Sequence, residues 1–138
     1  MCPAEERQME PEPSRGPSIL IVEDETLVRM GVDEHLRDAG FTVIEAASGD
    51  EARAVLEAGV RVDVVFSDIM MPGAVDGMAL AEWIGQLPSA PAIVLASGVP
   101  AALSEAQRRH PHIRAVLIKP YAYADLERMA RELAPKGG

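Results

Sequence analysis

Five polar side chains of this sequence lie where short apolar segments end, and together they could bind a metal ion and accept a phosphoryl group. They are the carboxylates of Glu23, Asp24 and Asp68, the hydroxyl of Ser97 and the ammonium of Lys119. Three carboxylates in one cleft repel one another and need a cation, and hard oxygen donors of this kind suit Mg²⁺ with several waters retained. An aspartate beside a metal, an ammonium and a hydroxyl can act as a nucleophile towards phosphorus. Asp68 is the candidate nucleophile, because its strand is predicted to be central.

These side chains can meet only if the segments that carry them form one sheet. Continuous apolar runs predict buried strands, and apolar residues at spacings of three and four predict helices. The predicted strands are Ser18–Val22, Phe41–Glu45, Val62–Ser67, Ala92–Ala96 and Ile113–Ile118, and the predicted helices cover roughly 26–39, 48–59, 76–87, 101–109 and 123–133. This alternation predicts a doubly wound (βα)5 fold, a five-stranded parallel sheet with helices on both faces. Ligands of such sheets bind at the carboxyl ends of the strands, where the five polar side chains would gather.

Local signals mark several helix ends. Thr26 and Ser48 are predicted N-caps, and Glu51 stands three residues after Ser48 as a capping-box partner. Gly40 and Gly59 are predicted to end the first two helices.

Composition limits the function further. The chain has 138 residues, a net charge of −9 and a single cysteine, Cys2. Residues 18–134 are enough for one domain, 1–17 are predicted to be a disordered tail rich in Pro and Glu, and 135–138 a short C-terminal tail. The acidic charge argues against nucleic acid and anionic membranes as partners, and the absence of an apolar leader or span predicts a cytoplasmic protein.

The motifs resemble those of the receiver domain of two-component response regulators, over roughly 18–134. The matching residues are Glu23-Asp24, Asp68 within Ser67–Gly73, Asp76-Gly77, Ser97 within Leu95–Gly98, and Lys119-Pro120-Tyr121. The resemblance implies a flavodoxin-like fold and a phosphoacceptor aspartate at Asp68. It also implies a histidine kinase or a histidine phosphotransfer protein as the phosphoryl donor.

The same resemblance implies a role for each site residue. Asp24 and Asp68 would bind Mg²⁺ directly, Glu23 would act through water, and the carbonyl of Met70 would complete the protein ligands. Lys119 would pair with the phosphoryl group, and Ser97 would move to contact it. The Lys119-Pro120 bond would be cis, which X-Pro bonds tolerate at low cost.

Two departures from the family pattern stand out. Val116, three residues before Lys119, replaces the Tyr or Phe that turns inward in many receivers, so aromatic gating there is excluded. The loop 72–77 is one residue longer than usual.

The segment Leu95–Pro100 resembles stand-alone receivers that lack the switch aromatic. Tyr121 and Tyr123 are interpreted as half-buried residues at a helix start.

Several functions stay open. A receiver would signal by contact with an unknown downstream protein through the face formed by the fourth helix, the fifth strand and the fifth helix, a face that could also form a homodimer. Because only Pro135-Lys-Gly-Gly follows the last helix, no output domain is expected, and a phosphoryl relay or sink is an alternative. A phosphatase-like enzyme needs a second acid two residues after the nucleophile, where Met70 stands, so no enzymatic activity is expected. A binding scaffold is disfavoured by the complete site, and His110 and His112 are predicted to be ordinary surface histidines.

Overall fold

The structure is a computed structural model that describes residues 16–71, 73 and 75–135. The predicted disorder of 1–17 and the predicted tail 135–138 fall almost entirely outside the described residues. The elements are β1 Ser18–Val22, α1 Thr26–Asp38, β2 Thr42–Ala46, α2 Gly49–Glu57, β3 Val64–Asp68, α3 Gly77–Ile84, β4 Ala92–Ser97, α4 Pro100–Arg109, β5 Ile113–Ile118 and α5 Tyr123–Leu133. Strands and helices alternate in the order that the apolar pattern predicts.

The five strands form one parallel sheet in the order β2-β1-β3-β4-β5. The predicted doubly wound, flavodoxin-like fold is therefore confirmed. The strand order reverses between β1 and β3, and connections from these two strands leave in opposite directions. A cleft opens at such a switch point beyond the carboxyl ends of the strands.

Each face of the sheet is covered by helices and has its own apolar core. Successive side chains of a strand point to opposite faces. Leu20, Val65 and Leu95 pack beneath α2, α3 and α4, whereas Ile21 and Phe66 pack beneath α1 and α5. All five residues of β3 are buried, including the polar ones. β3 is the central strand, as its apolar run predicts.

The helix-start signals are confirmed at one position and wrong at another. The Ser48 hydroxyl accepts a hydrogen bond from the Glu51 amide at 3.1 Å, and the Glu51 carboxylate accepts one from the Ala47 amide at 2.7 Å. Thr26 is not the N-cap of α1. That position belongs to Glu25, whose extended backbone precedes the helix without a side-chain capping bond.

The start of β2 differs from prediction for a local reason. Phe41 was predicted to begin a strand, but its amide donates to the Leu36 carbonyl and closes the end of α1. Gly40, at φ +100°, makes the turn that permits this bond.

No helix among the described residues is long and apolar enough to cross a membrane.

Candidate functional site

The sheet brings the predicted acids together at its carboxyl edge. Asp68 is the last residue of β3, and Glu23 and Asp24 follow β1, the neighbouring strand. Carboxylate oxygens of the three residues lie within 4.8 Å of one another. Asp68 and Glu23 are 5% and 3% exposed, whereas Asp24 is open to solvent. The acids line a half-buried cleft at the switch point of the sheet.

Lys119 completes the charged cluster. Its Nζ lies 2.8 Å from Asp68 Oδ1, and its side chain is 40% exposed. The Lys119 amide donates to the Ser97 carbonyl at 2.9 Å, so strand pairing between β4 and β5 sets the position of the lysine. The Lys119-Pro120 bond is cis, in agreement with the sequence expectation.

Burial changes the proton affinity of Glu23. Removal from water, with further contributions from its hydrogen bond to Asp68 and the charge of that residue, raises the pKa of Glu23 from 4.5 to about 8. The amide of Glu25, which donates to Glu23 Oε2 at 3.1 Å, acts in the opposite direction. At neutral pH the carboxyl group of Glu23 therefore holds a proton that a cation entering the cleft has to displace.

The ammonium of Lys119 responds to the same surroundings. Burial by itself lowers the pKa of Lys119, but the hydrogen bond to Asp68 and the negative charges of Asp68, Glu23 and Glu25 outweigh burial and raise it. Lys119 is therefore held as a cation at any physiological pH.

The donor set fits a magnesium ion. Three carboxylates offer hard oxygen ligands from one side, and the exposure of Asp24 leaves room for the waters that Mg²⁺ retains. The side chain of Met70 is 76% exposed, and the role of its carbonyl as a ligand stays a prediction.

Ser97 lies at the site but uses its hydroxyl locally. It ends β4, is 4% exposed, and its Oγ accepts a hydrogen bond from the Val99 amide at 3.0 Å. Contact with a phosphoryl group would require this bond to be exchanged, so that role of Ser97 stays a prediction.

Sequence reasoning missed Arg29, and it named Gly77 in the Asp76-Gly77 motif without deriving its close contact with Asp68. Arg29, on α1, donates to the Glu23 carbonyl at 2.7 Å and to the Glu45 carboxylate at 2.8 Å, which fixes the loop after β1. A β-carbon at Gly77 would lie 2.0 Å from the Asp68 carbonyl oxygen, and the Gly77 amide donates to the Ile69 carbonyl at 2.9 Å. The Asp76-Gly77 motif carried a signal for the glycine, whereas no pattern marks Arg29.

Val116 and Tyr121 lie on opposite faces of the sheet. Val116 is half-buried and packs against the core beneath α2, α3 and α4. On the other face, the edge of the half-buried Tyr121 ring contacts Phe66, with ring centroids 5.6 Å apart. Burial and the charges of Asp68 and Glu23 raise the pKa of Tyr121. Tyr121 thus forms an aromatic contact two residues from Lys119.

His112 is not the ordinary surface residue that was predicted. It is half-buried, and its Nε2 lies 2.6 Å from the Ala81 carbonyl oxygen on α3. A β-carbon at Gly85 would lie 2.4 to 2.8 Å from the imidazole ring, so this glycine makes room for it. The contact spans 31 residues of sequence, and no local motif signals it.

The fold is a doubly wound α/β domain, and an acidic cleft with a paired lysine lies at its switch point. These features are typical of phosphoryl-accepting signalling domains, and comparison with known proteins indicates the same class. The family model of the response regulator receiver domain matches residues 19–131. The chain belongs to the response regulator receiver domain family, and the expected resemblance is confirmed.

Named relatives are bacterial signalling proteins. The chain is 37% identical over 106 residues to sensor kinase CckA of Brucella abortus, covering 76% of this chain and 9% of that protein. It is also 37% identical over 109 residues to the transcriptional regulatory protein PdtaR of Mycobacterium tuberculosis, covering 78% of this chain and 52% of that protein. The chain thus spans about half or less of the length of these two relatives.

Solved structures share the fold. The receiver domain of the Francisella response regulator 1452 aligns with a TM-score of 0.78 and 20% identity, covering 86% of this chain and 96% of that one. The response regulator TrrA of Thermotoga maritima, solved in complex with Mg²⁺-BeF, aligns with a TM-score of 0.75 and 25% identity, covering 86% and 99%.

Proposed function

We propose that the chain is a phosphoacceptor receiver in which Asp68 accepts a phosphoryl group from the phosphohistidine of a histidine kinase or a histidine phosphotransfer protein. The ion pair between Lys119 Nζ and Asp68 Oδ1, at 2.8 Å inside a three-carboxylate cleft, is the observation that carries this proposal. Membership of the receiver family supports the same chemistry.

The reaction follows from the positions of the chain's own side chains. A carboxylate oxygen of Asp68 attacks phosphorus, an O–P bond forms, the P–N bond to the donor imidazole breaks, and its electron pair stays on the imidazole nitrogen. Lys119 can follow the charge from the carboxylate to the phosphoryl oxygens, since it is already in contact with Asp68. The Ser97 hydroxyl would donate a hydrogen bond to one of those oxygens. Asp24, Asp68 and the Met70 carbonyl would hold Mg²⁺ directly and Glu23 would hold it through water, and the bound ion would supply positive charge next to the phosphoryl oxygens.

The consequence of phosphorylation is proposed to be altered contact with another protein. Apolar side chains are exposed along the face formed by α4, β5 and α5, with Val99 54%, Ile118 52% and Tyr123 39% exposed. Such a face supports binding of a downstream protein or of a second copy of the chain. The aromatic at Tyr121 is the candidate for relaying the change, since Val116 cannot.

A phosphoryl relay or sink uses the same acceptor chemistry and remains an alternative, distinguished by onward transfer to a second histidine protein. A phosphatase-like enzyme is less well supported, because the thioether of Met70 cannot transfer protons at the position of a second acid. Steady phosphate release from phosphomonoesters would favour that enzyme instead. A cytoplasmic location and the absence of nucleic acid and membrane partners stay predictions.

The direct test is phosphorylation of the full chain by acetyl phosphate with Mg²⁺, followed by intact-mass measurement. We expect the wild type to gain one phosphoryl group and Asp68→Ala to gain none. Asp50→Asn is the matched control, because it removes an exposed carboxylate at the start of α2 without touching the cluster. Equal labelling of wild type and Asp68→Ala would overturn the proposal.

A further inference from the structure

A second site lies at the opposite edge of the sheet from Asp68. A cavity of about 410 Å³ opens where β3, β4 and β5 begin, and its wall contains Arg61, His112 and Arg114. A smaller cavity of about 210 Å³ adjoins it and shares Arg61 and Asp63. The larger volume lies within the range of small-molecule sites, about 300–1,000 Å³.

The arginines of this basal cavity differ from most others in the chain. Of the nine arginines that the structure describes, six form ion pairs with carboxylates, namely Arg29, Arg37, Arg53, Arg108, Arg128 and Arg131. Within the described ranges, Arg61, Arg109 and Arg114 form none, and two of these three line the same cavity. The chain has a net charge of −9, yet these two guanidinium groups form no ion pair with any described acid, which leaves both available to an anionic ligand.

The one acid among the described lining residues of the larger cavity, Asp63, forms no ion pair with these arginines, because its carboxylate is hydrogen-bonded elsewhere. Asp63 Oδ2 accepts hydrogen bonds from the Ser18 amide at 2.9 Å and the Ser18 hydroxyl at 3.3 Å. The Asp63 amide in turn donates to Ser18 Oγ at 3.0 Å. Asp63 is therefore committed to joining β1 and β3 at their amino ends.

The cavity wall is held in place and is partly apolar. His112 is fixed by its hydrogen bond to the Ala81 carbonyl, and Val62, Pro91 and Leu133 supply an apolar floor. A ligand that fits has an anionic group for the two guanidinium groups and a flat or apolar body for the floor. Phosphate suits best, because guanidinium binds its oxygens in bidentate fashion and both charges of a phosphate monoester are compensated.

We propose that the basal cavity binds a small organic phosphate, with the phosphate between Arg61 and Arg114 and the apolar body against Val62, Pro91 and Leu133. This site lies beyond the phosphoacceptor function and does not depend on it. It would give the chain a second, non-covalent input at the edge remote from Asp68.

The test uses the full chain without Mg²⁺, with adenosine monophosphate, inorganic phosphate and adenosine as probes, monitored by backbone amide NMR and calorimetry. We expect adenosine monophosphate to bind saturably with a dissociation constant of about 1 mM or below. Its binding should change the chemical shifts of the amides of Val62, Ala92 and Arg114. Inorganic phosphate and adenosine should bind at the same place more weakly. Arg61→Ala and Arg114→Ala should each weaken binding about tenfold.

Arg109→Ala is the matched control, since Arg109 is also exposed and without an ion pair in the described structure but does not line the cavity. It should leave binding unchanged. Equal weakening by all three variants would show general charge attraction and overturn the site, as would absence of shifts at the cavity amides. If either alanine variant melts at a lower temperature than wild type, Arg61→Lys and Arg114→Lys replace it. Each lysine variant keeps the charge but loses the bidentate fork, so undiminished binding by both would also overturn the proposal.

Discussion

Charge compensation around Asp68 determines what the site can do at the scale of single residues. Asp68 is a nearly fully buried acid, and Lys119 is the cation in direct contact with it. A buried charge that loses its partner is costly. In a paired site, the partner cation can instead form its contact with the oxygens of an incoming phosphoryl group. Under the proposed function we therefore expect Lys119 to matter most in the transition state, when charge moves from the carboxylate to the phosphoryl oxygens.

Replacing Lys119 with Gln should slow phosphorylation of Asp68 by about 10² to 10³, the usual cost of losing one charged donor in the transition state. The measurement is the rate of mass gain with acetyl phosphate and Mg²⁺. Arg128→Gln, which removes an exposed cation on α5, should leave the rate unchanged. A wild-type rate for Lys119→Gln would show that the ion pair has no part in the transfer.

The pKa of Glu23 predicts how Mg²⁺ binding depends on pH. Because this pKa is about 8 in the metal-free protein, most molecules carry a proton on Glu23 at pH 7, and metal binding must release it. The apparent affinity for Mg²⁺ should rise with pH up to about 8 and fall about tenfold per pH unit below that value. Calorimetric titrations across this range measure it.

Glu23→Gln is the control for this prediction, since its amide keeps the shape of the side chain and cannot titrate. Its Mg²⁺ affinity should vary much less between pH 6 and 8 than that of the wild type. Both proteins are titrated at intervals of about one pH unit. Identical pH profiles for the two proteins would assign the proton to another group.

At the scale of elements, the site depends on close backbone approach between β3 and the start of α3. Gly77 lets the first turn of α3 lie against the Asp68 carbonyl, and the side chain of Asp76 caps that helix by accepting from the Ala79 amide at 2.9 Å. Asp76 and Gly77 therefore fix the start of α3 against the end of β3, the strand that carries Asp68.

Gly77→Ala should lower the free energy of unfolding by about 1–3 kcal/mol, because its methyl group would overlap backbone atoms of Asp68 and Ile69 that cannot move freely. Chemical denaturation measures the loss. Gly98→Ala is the matched control, since open space surrounds that position, and it should change stability by less than about 0.5 kcal/mol. Equal stability of the two variants would mean that α3 shifts at little cost.

For the whole molecule, the two edges of the sheet carry opposite electrostatic character. The carboxyl edge gathers Glu23, Asp24 and Asp68, whereas Arg61 and Arg114 line the cavity at the amino edge. The carboxyl edge therefore suits a cation, and the amino edge offers two guanidinium groups to an anion.

Mg²⁺ should stabilise the folded chain, because the three carboxylates are close together only in the native state and the ion therefore binds that state preferentially. At ten times its dissociation constant the ion adds about 1.4 kcal/mol and should raise the Tm by about 4 °C. Thermal melts with Mg²⁺ and with a chelator measure the difference. Asp24→Asn should remove most of the shift, and an unchanged Tm for the wild type would contradict metal binding in the cleft.

The amino-acid sequence by itself determined the alternation of elements, the parallel sheet and the position of Asp68 at the end of a buried strand. Apolar periodicity and glycine or N-cap signals are local, so they can be recognised without knowing which segments meet. The motifs around Glu23, Asp68, Ser97 and Lys119 indicated the receiver family for the same reason. Where a local rule had two solutions, as at Thr26 and Phe41, the prediction was wrong by one residue.

Only the tertiary structure decided the properties that depend on partners distant in sequence. The proton affinity of Glu23 comes from burial beside Asp68, and the position of His112 comes from α3, 31 residues away. The pairing of Asp63 with Ser18 spans 45 residues, and among the described residues the basal arginines form no ion pair with an acid at the cavity. Energies of burial and charge depend on distances through space, and those distances are set when the sheet forms.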